Sequence, residues 1–450
     1  MSKMFSKILC VAIAAIMVVS LAACGVSTPA PAASATAAAT TAETAKAAET
    51  AKAEENVTLK IFTQYSLPEE KGPYDYAVAE MKKVMPNVSL DLEIQPQDGD
   101  AKLKTLAASG DLPDILQVTK STRDLFAKSN NLLQLDQYVK DNKIEDRILP
   151  AYKFLLYSDD GHSYAVPRTS MPTHVLYVNK ELFAQNNIKI PTNYDEFLAS
   201  VKAFKAKNIV PMSLFAKETW PGMMLLEDFA TRYDPSGYAG IDTKKTTINS
   251  DAYKKAAAQV EELIKAGLIS RGAFTMDYDT AFNEFTSGKS AYFINGAWAL
   301  GPIGEKMGDK VDYLDYPLAD TATVEASKLN RAGGGFDGGY SVSANTKYKD
   351  IAGKFTALFA LQVANGRVVK AQEAYPLTTD GVQPEKPYPA IALKYVEQSK
   401  QFKSTTRFPW GIDAKAYVVL GDNVAKMLTG SYPADKFIAD TDKALKDIYK

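Results

Sequence analysis

Two cysteines, Cys10 and Cys24, and two histidines, His162 and His174, are all that 450 residues hold of these types. So few thiols exclude a disulfide framework, and with two poorly placed imidazoles they exclude a zinc site, which needs three or four nitrogen or sulfur ligands. An excess of one charge is missing too. The 52 Lys and Arg stand against 53 Asp and Glu for a formal −1, so no basic nucleic-acid surface is indicated. The acidic pairs Asp159-Asp160, Glu227-Asp228 and Asp277 with Asp279 lack the spacing of a calcium loop. Gly333 to Gly338 fits G-x-G-x-x-G, but Tyr340 to Ser343 reads as a strand where a dinucleotide fold needs a helix. No metal, cofactor or catalytic residue is therefore expected.

What is present begins at the N-terminus. Lys3 and Lys7 precede an apolar run from Ile8 to Leu21, which ends in Leu21-Ala22-Ala23-Cys24. The run is shorter than the roughly 20 residues of a spanning helix, and a polar stretch follows, so residues 1–23 read as a signal peptide. Leu-Ala-Ala-Cys resembles the lipobox of bacterial lipoproteins, whose cysteine is acylated. Cys24 is thus expected to carry the lipid, and two or more chains give stable anchoring. Removing Lys3 and Lys7 takes the charge from −1 to −3. After Cys24, residues up to 55 form an Ala/Thr/Glu/Lys linker with the near-repeat Glu43-Thr-Ala-Lys-Ala-Ala, Glu49-Thr-Ala-Lys-Ala-Glu. It has nothing with which to build a core, and as a coil it spans on the order of 30 Å.

From Asn56 onward, strand and helix signals alternate. Val57 to Tyr65, Val88 to Pro96 and Asp114 to Thr119 read as strands, and Tyr74 to Met85 and Ala101 to Ser109 as helices. This is the α/β pattern, with a largely parallel sheet and ligands at the carboxyl ends of its strands. Thr192 or Asn193 caps a helix on which Phe197, Val201 and Phe204 share a face. Asp279 to Phe285 is a further helix, closing at Gly288.

Three blocks carry a family resemblance: Gly161-His-Ser-Tyr-Ala-Val-Pro167, Val175-Leu-Tyr-Val-Asn-Lys-Glu-Leu-Phe183 and Ile190-Pro-Thr-Asn-Tyr-Asp-Glu-Phe197. With Phe282-Asn-Glu-Phe-Thr-Ser-Gly-Lys-Ser-Ala-Tyr-Phe-Ile-Asn-Gly-Ala-Trp298, they resemble the signatures of the family 1 extracellular solute-binding proteins. That family includes the maltose-binding and multiple-sugar-binding proteins. Asn187 replaces a frequent glycine and Tyr194 a frequent tryptophan, both chemically tolerable. The resemblance implies a two-lobe, periplasmic-binding-protein-like α/β fold with a hinge between lobes. The expected lobes are 56–170 with 318–372, and 171–317 with 373–450. It also implies a monomer at the extracytoplasmic face of the membrane, delivering a sugar to the permease subunits of an ABC transporter. A sensor feeding a membrane kinase is the nearest alternative, and a glycoside hydrolase a more distant one.

A pyranose offers an apolar face and a hydroxyl rim, so its site needs flat aromatics and paired donors and acceptors. Trp298, after Asn295-Gly296, stands where sugar-binding relatives often place a stacking tryptophan. Trp220 and Trp410 also lie beside turns or helix starts, and Gln64 and Tyr65 close the first strand. Arg168, Asp337 in its glycine-rich run and Lys120 past the third strand are the polar candidates.

Overall fold

The computed structural model describes residues 55–314 and 319–450, so the leader, Cys24 and the linker lie outside the described residues. Its strands are β1 (Val57–Thr63), β2 (Val88–Ile94), β3 (Ile115–Val118), β4 (Val166–Pro167), β5 (His174–Asn179), β6 (Val210–Ser213), β7 (Ser290–Gly296), β8 (Val311–Leu314), β9 (Asn330–Arg331), β10 (Gly339–Val342) and β11 (Ser404–Thr405). They form one sheet in the order β2-β1-β3-β10-β4 and a second in the order β6-β7-β5-β8, with β9 and β11 paired apart. The first sheet is mixed. β1 runs parallel to β2 and β3, while β10 is antiparallel to both β3 and β4. The largely parallel reading misses this because β10 arrives some 170 residues after β4 in sequence, as the numbers of Pro167 and Gly339 show.

The first core holds β1, β3 and β10 together with the helices Pro68–Val84 and Lys349–Ala371. Those two helices touch closely, since a Cβ on Gly366 would stand 2.7 Å from the Pro73 backbone. The first helix starts at Pro68, ahead of the expected Tyr74. Proline suits a first turn, and the Glu70 carboxylate accepts from the Ser66 and Leu67 N–H groups at 2.8 and 3.0 Å. Pro73 inside the helix then forgoes one backbone bond.

The second core gathers β5 to β8 and the helices Tyr194–Ala206, Trp220–Ala230, Asp251–Lys265, Tyr278–Thr286 and Ala414–Leu428. Asn193 caps the first of these by accepting from the Glu196 N–H, and Phe197, Val201 and Phe204 are all fully buried. Asn187 takes the left-handed φ of 54° that a glycine would otherwise supply. Tyr194 is buried, with its hydroxyl donating to Glu262 at 2.6 Å.

The chain passes between the cores in three stretches, near 168–173, near 332–338 and over 374–390, where Ala374 and Tyr375 pack on the second core before Leu377 returns to the first. The crossing near 332–338 lies beyond the expected boundary at 318, while position 373 falls at the start of the third stretch. Residues around 319–331 bond to the second core, with the Tyr194 N–H donating to the Ala319 carbonyl at 2.8 Å and Arg232 to the Ser327 carbonyl at 3.2 Å. Residues around 377–385 stay with the first, where Leu149 N–H meets the Leu377 carbonyl at 3.0 Å and Glu385 N–H the Val369 carbonyl at 3.0 Å.

Candidate functional site

Between the cores lies a cavity of about 890 Å³, counting its open mouth. Its two sides differ in chemistry. Gln64, Glu69, Glu70, Gln117, Arg168 and Asp337 come from the side of the first core, whereas Trp220, Trp298, Trp410, Tyr278 and Tyr417 come from the second. A polar surface thus faces an aromatic one.

The polar side is set by strand ends. Thr63 donates to Gln117 Oε1 at 2.6 Å, and Gln117 Nε2 donates to Gln64 Oε1 at 3.0 Å, which locks two amides at the ends of β1 and β3. Arg168 follows β4, and Asp337 precedes β10. The two face each other, with a guanidinium nitrogen 3.8 Å from the carboxylate. Burial pushes the Asp337 carboxyl above its ordinary range while Arg168 pulls it back. Glu69 and Glu70 are likewise raised by burial. Among the described residues, Arg168 Nε and Gln95 Oε1 are buried polar atoms at this cavity with no hydrogen-bond partner. Arg367 lines the cavity too, but its Nε is held at 2.6 Å by Glu373.

The aromatic side begins at Trp220, the first residue of its helix, at Trp298 after β7, and at Trp410 in the turn Pro409–Gly411. The rings touch one another, with centroids 5.4 Å apart for Trp220 and Trp410, 6.3 Å for Trp220 and Trp298, and 6.2 Å for Trp298 and Trp410. Phe408 stacks on Trp410 at 4.7 Å and backs the cluster. Two residue pairs already bridge the gap. Trp410 Nε1 donates to the Asp337 carbonyl and carboxylate at 3.0 and 3.2 Å, and the Tyr278 hydroxyl donates to Glu69 at 2.9 Å.

Of the residues anticipated from sequence, Trp298, Trp220, Trp410, Gln64, Asp337 and Arg168 meet in this cavity. Tyr65 and Lys120 stand outside its lining. The Tyr65 ring packs edge-on against Tyr74, and its hydroxyl donates to Asp75 at 3.0 Å, which turns it onto its own lobe. Lys120 pairs with Asp124 at 2.5 Å along a separate groove that also holds Asp413 and Val418. Sequence reasoning missed Glu69, Glu70, Tyr278, Tyr417 and Arg367. Each sits on a helix and looks there like a surface or capping residue, and only the packing of the two cores turns it inward.

The chain matches the model of the bacterial extracellular solute-binding proteins over residues 77–393. It is 23% identical over 356 residues to the multiple sugar-binding protein of Streptococcus mutans, covering 76% of this chain and 79% of that one. Its fold resembles that of a protein solved in a study of xylan utilization by the thermophile Caldanaerobius polysaccharolyticus, with a TM-score of 0.75 at 24% identity over 86% of this chain and 99% of that one. A chitin oligosaccharide binding protein gives 0.74 at 21% identity, over 87% and 98%. Among the described residues, no helix is long and apolar enough to cross a membrane. The match over most of the chain, on a fold of two α/β cores around one cleft, means that the protein belongs to the family of bacterial extracellular solute-binding proteins.

Proposed function

We propose that the protein captures an oligosaccharide in the cleft between its lobes and presents it to an ABC importer. One observation carries this reading: indole rings on one lobe oppose amides, carboxylates and a guanidinium on the other. Rings cover the C–H faces of sugar units, and the polar side pairs with hydroxyls. Closure removes water from both, so each lobe alone binds weakly and the closed form prevails when solute bridges them. Structural relatives hold raffinose and stachyose, and a relative in Streptococcus pneumoniae is a fructooligosaccharide ABC transporter substrate-binding protein.

Binding is favoured over hydrolysis by what the cleft carboxylates already do. Glu70 caps a helix, Glu69 accepts from Tyr278, and Asp337 accepts from Trp410, so each is committed to holding the structure together. On the sequence pattern alone, Cys24 carries a lipid that holds the mature chain at the outer face of the membrane, and the linker gives the receptor its reach.

A thermal-shift screen over neutral oligosaccharides tests the reading. A sugar at 100 times its dissociation constant stabilises the protein by about 2.7 kcal/mol, whereas no shift with any member of a broad panel would reject it.

A further inference from the structure

We propose that Glu218 is a positioning residue: its carboxylate fixes the Trp220 ring in the side of the cleft, and through it the tilt of Trp298 and Trp410. The inference rests on the reading of the cleft as a sugar site. Glu218 does not itself line the cavity. It lies two residues ahead of Trp220, just before the helix Trp220–Ala230, and accepts from Trp220 Nε1 at 2.7 Å.

An indole has one hydrogen-bonding atom, so a single acceptor at that atom fixes the rotation of the whole plane. Trp220 also sits among other rings. It meets Phe215 edge-on at 4.8 Å, Trp410 at 5.4 Å with an interplanar angle of 89°, and Trp298 at 6.3 Å. Ring-edge contacts are soft, whereas a charge-assisted bond of this length is directional and roughly twice as strong as a neutral one. The other tether in the cluster differs in kind. Trp410 is tied to Asp337 of the opposite lobe, a bond that opening of the cleft breaks, while Glu218 and Trp220 belong to one lobe and stay joined. Glu218 therefore keeps the aromatic surface ordered before sugar arrives.

The hold is graded by protonation. The half-buried carboxyl of Glu218 is pushed up to about 7, chiefly by burial and further by Asp277, while the Trp220 bond and Lys217 oppose the rise. Tyr417 of the helix Ala414–Leu428 approaches it from the same lobe, and Asp98 and Asp100 act in turn on the Tyr417 hydroxyl. Below neutrality the bond loses its charge assistance, and the ring is held less firmly.

The test uses ligand-free protein labelled with ¹⁵N at the tryptophan indoles, so it stands whatever the sugar screen returns. Trp220→Phe assigns the resonance. In the wild type, the Trp220 indole signal should titrate with a midpoint near neutrality. In Glu218→Gln, which retains an acceptor oxygen, the signal should stay fixed with pH. In Glu218→Ala, hydrogen exchange at that indole should quicken about tenfold or more, and the Trp298 and Trp410 signals should move as well. An identical titration in Glu218→Gln, or unchanged exchange and unmoved neighbours in Glu218→Ala, would overturn the proposal.

Discussion

Gly296 is required by the ring two residues later: a Cβ there would lie 2.1 Å from the Trp298 side chain. Gly296→Ala should therefore push the indole out of the cleft and weaken sugar binding much as Trp298→Ala does. Truncating Trp298 should cost about 5- to 150-fold in calorimetric affinity, roughly 1 to 3 kcal/mol. A core tryptophan instead forfeits about 3 to 5 kcal/mol of stability, so unchanged affinity with a collapsed unfolding midpoint would place Trp298 in the core. Glu227 makes a different prediction. Buried beneath Tyr238 and Tyr253, whose N–H and hydroxyl donate to it at 2.7 and 2.8 Å, its carboxyl is pushed up from 4.5 to about 8 by burial. The folded state thus keeps a proton that the unfolded chain releases. That contribution is complete below about pH 4.5 and is lost as pH rises toward 8, on the order of a few kcal/mol across the window. Glu227→Gln should flatten this decline in unfolding midpoints measured between about pH 5 and pH 9, and an unaltered slope would contradict it. The tryptophans that line the cavity stand out in the sequence because turn residues flank them. The place of Tyr65 outside the lining was not readable, because its partner Asp75 lies on a helix whose approach no local pattern announces.

At the level of elements, the helix Pro68–Val84 joins the lobes through the residue just ahead of it. Leu67 stands at the head of a first-core helix, yet it is 5% exposed and packed within the second core. Its burial, with the Tyr278–Glu69 bond beside it, is available in the closed arrangement and lost on opening. Leu67→Ala should accordingly speed sugar release about tenfold or more in stopped-flow measurements, since Leu→Ala at a buried site costs about 2 to 5 kcal/mol. A normal release rate with a lowered unfolding midpoint would make Leu67 an ordinary core residue. Alternation and caps made β1, β2, β3 and the helices Ala101–Ser109 and Tyr278–Thr286 readable to within a few residues. The place of β10 was not readable. Its pairing with β3 and β4 is a contact between segments far apart in sequence, which no local periodicity encodes.

For the whole molecule, two cores share three crossings around one cleft. If Cys24 carries the anchor, Cys24→Ser should move the protein from the membrane fraction to the soluble one, and continued membrane association would refute the lipid. The boundary expected at 318 was displaced because the segment after it is placed by bonds such as Ala319 to Tyr194, whose partner comes from elsewhere in the chain. The central claim is that aromatic and polar lobes close on a sugar. Small-angle scattering, with and without a saturating sugar found by the thermal screen, tests it most directly. The account predicts a smaller radius of gyration in the bound protein, and superimposable profiles at saturation would contradict it.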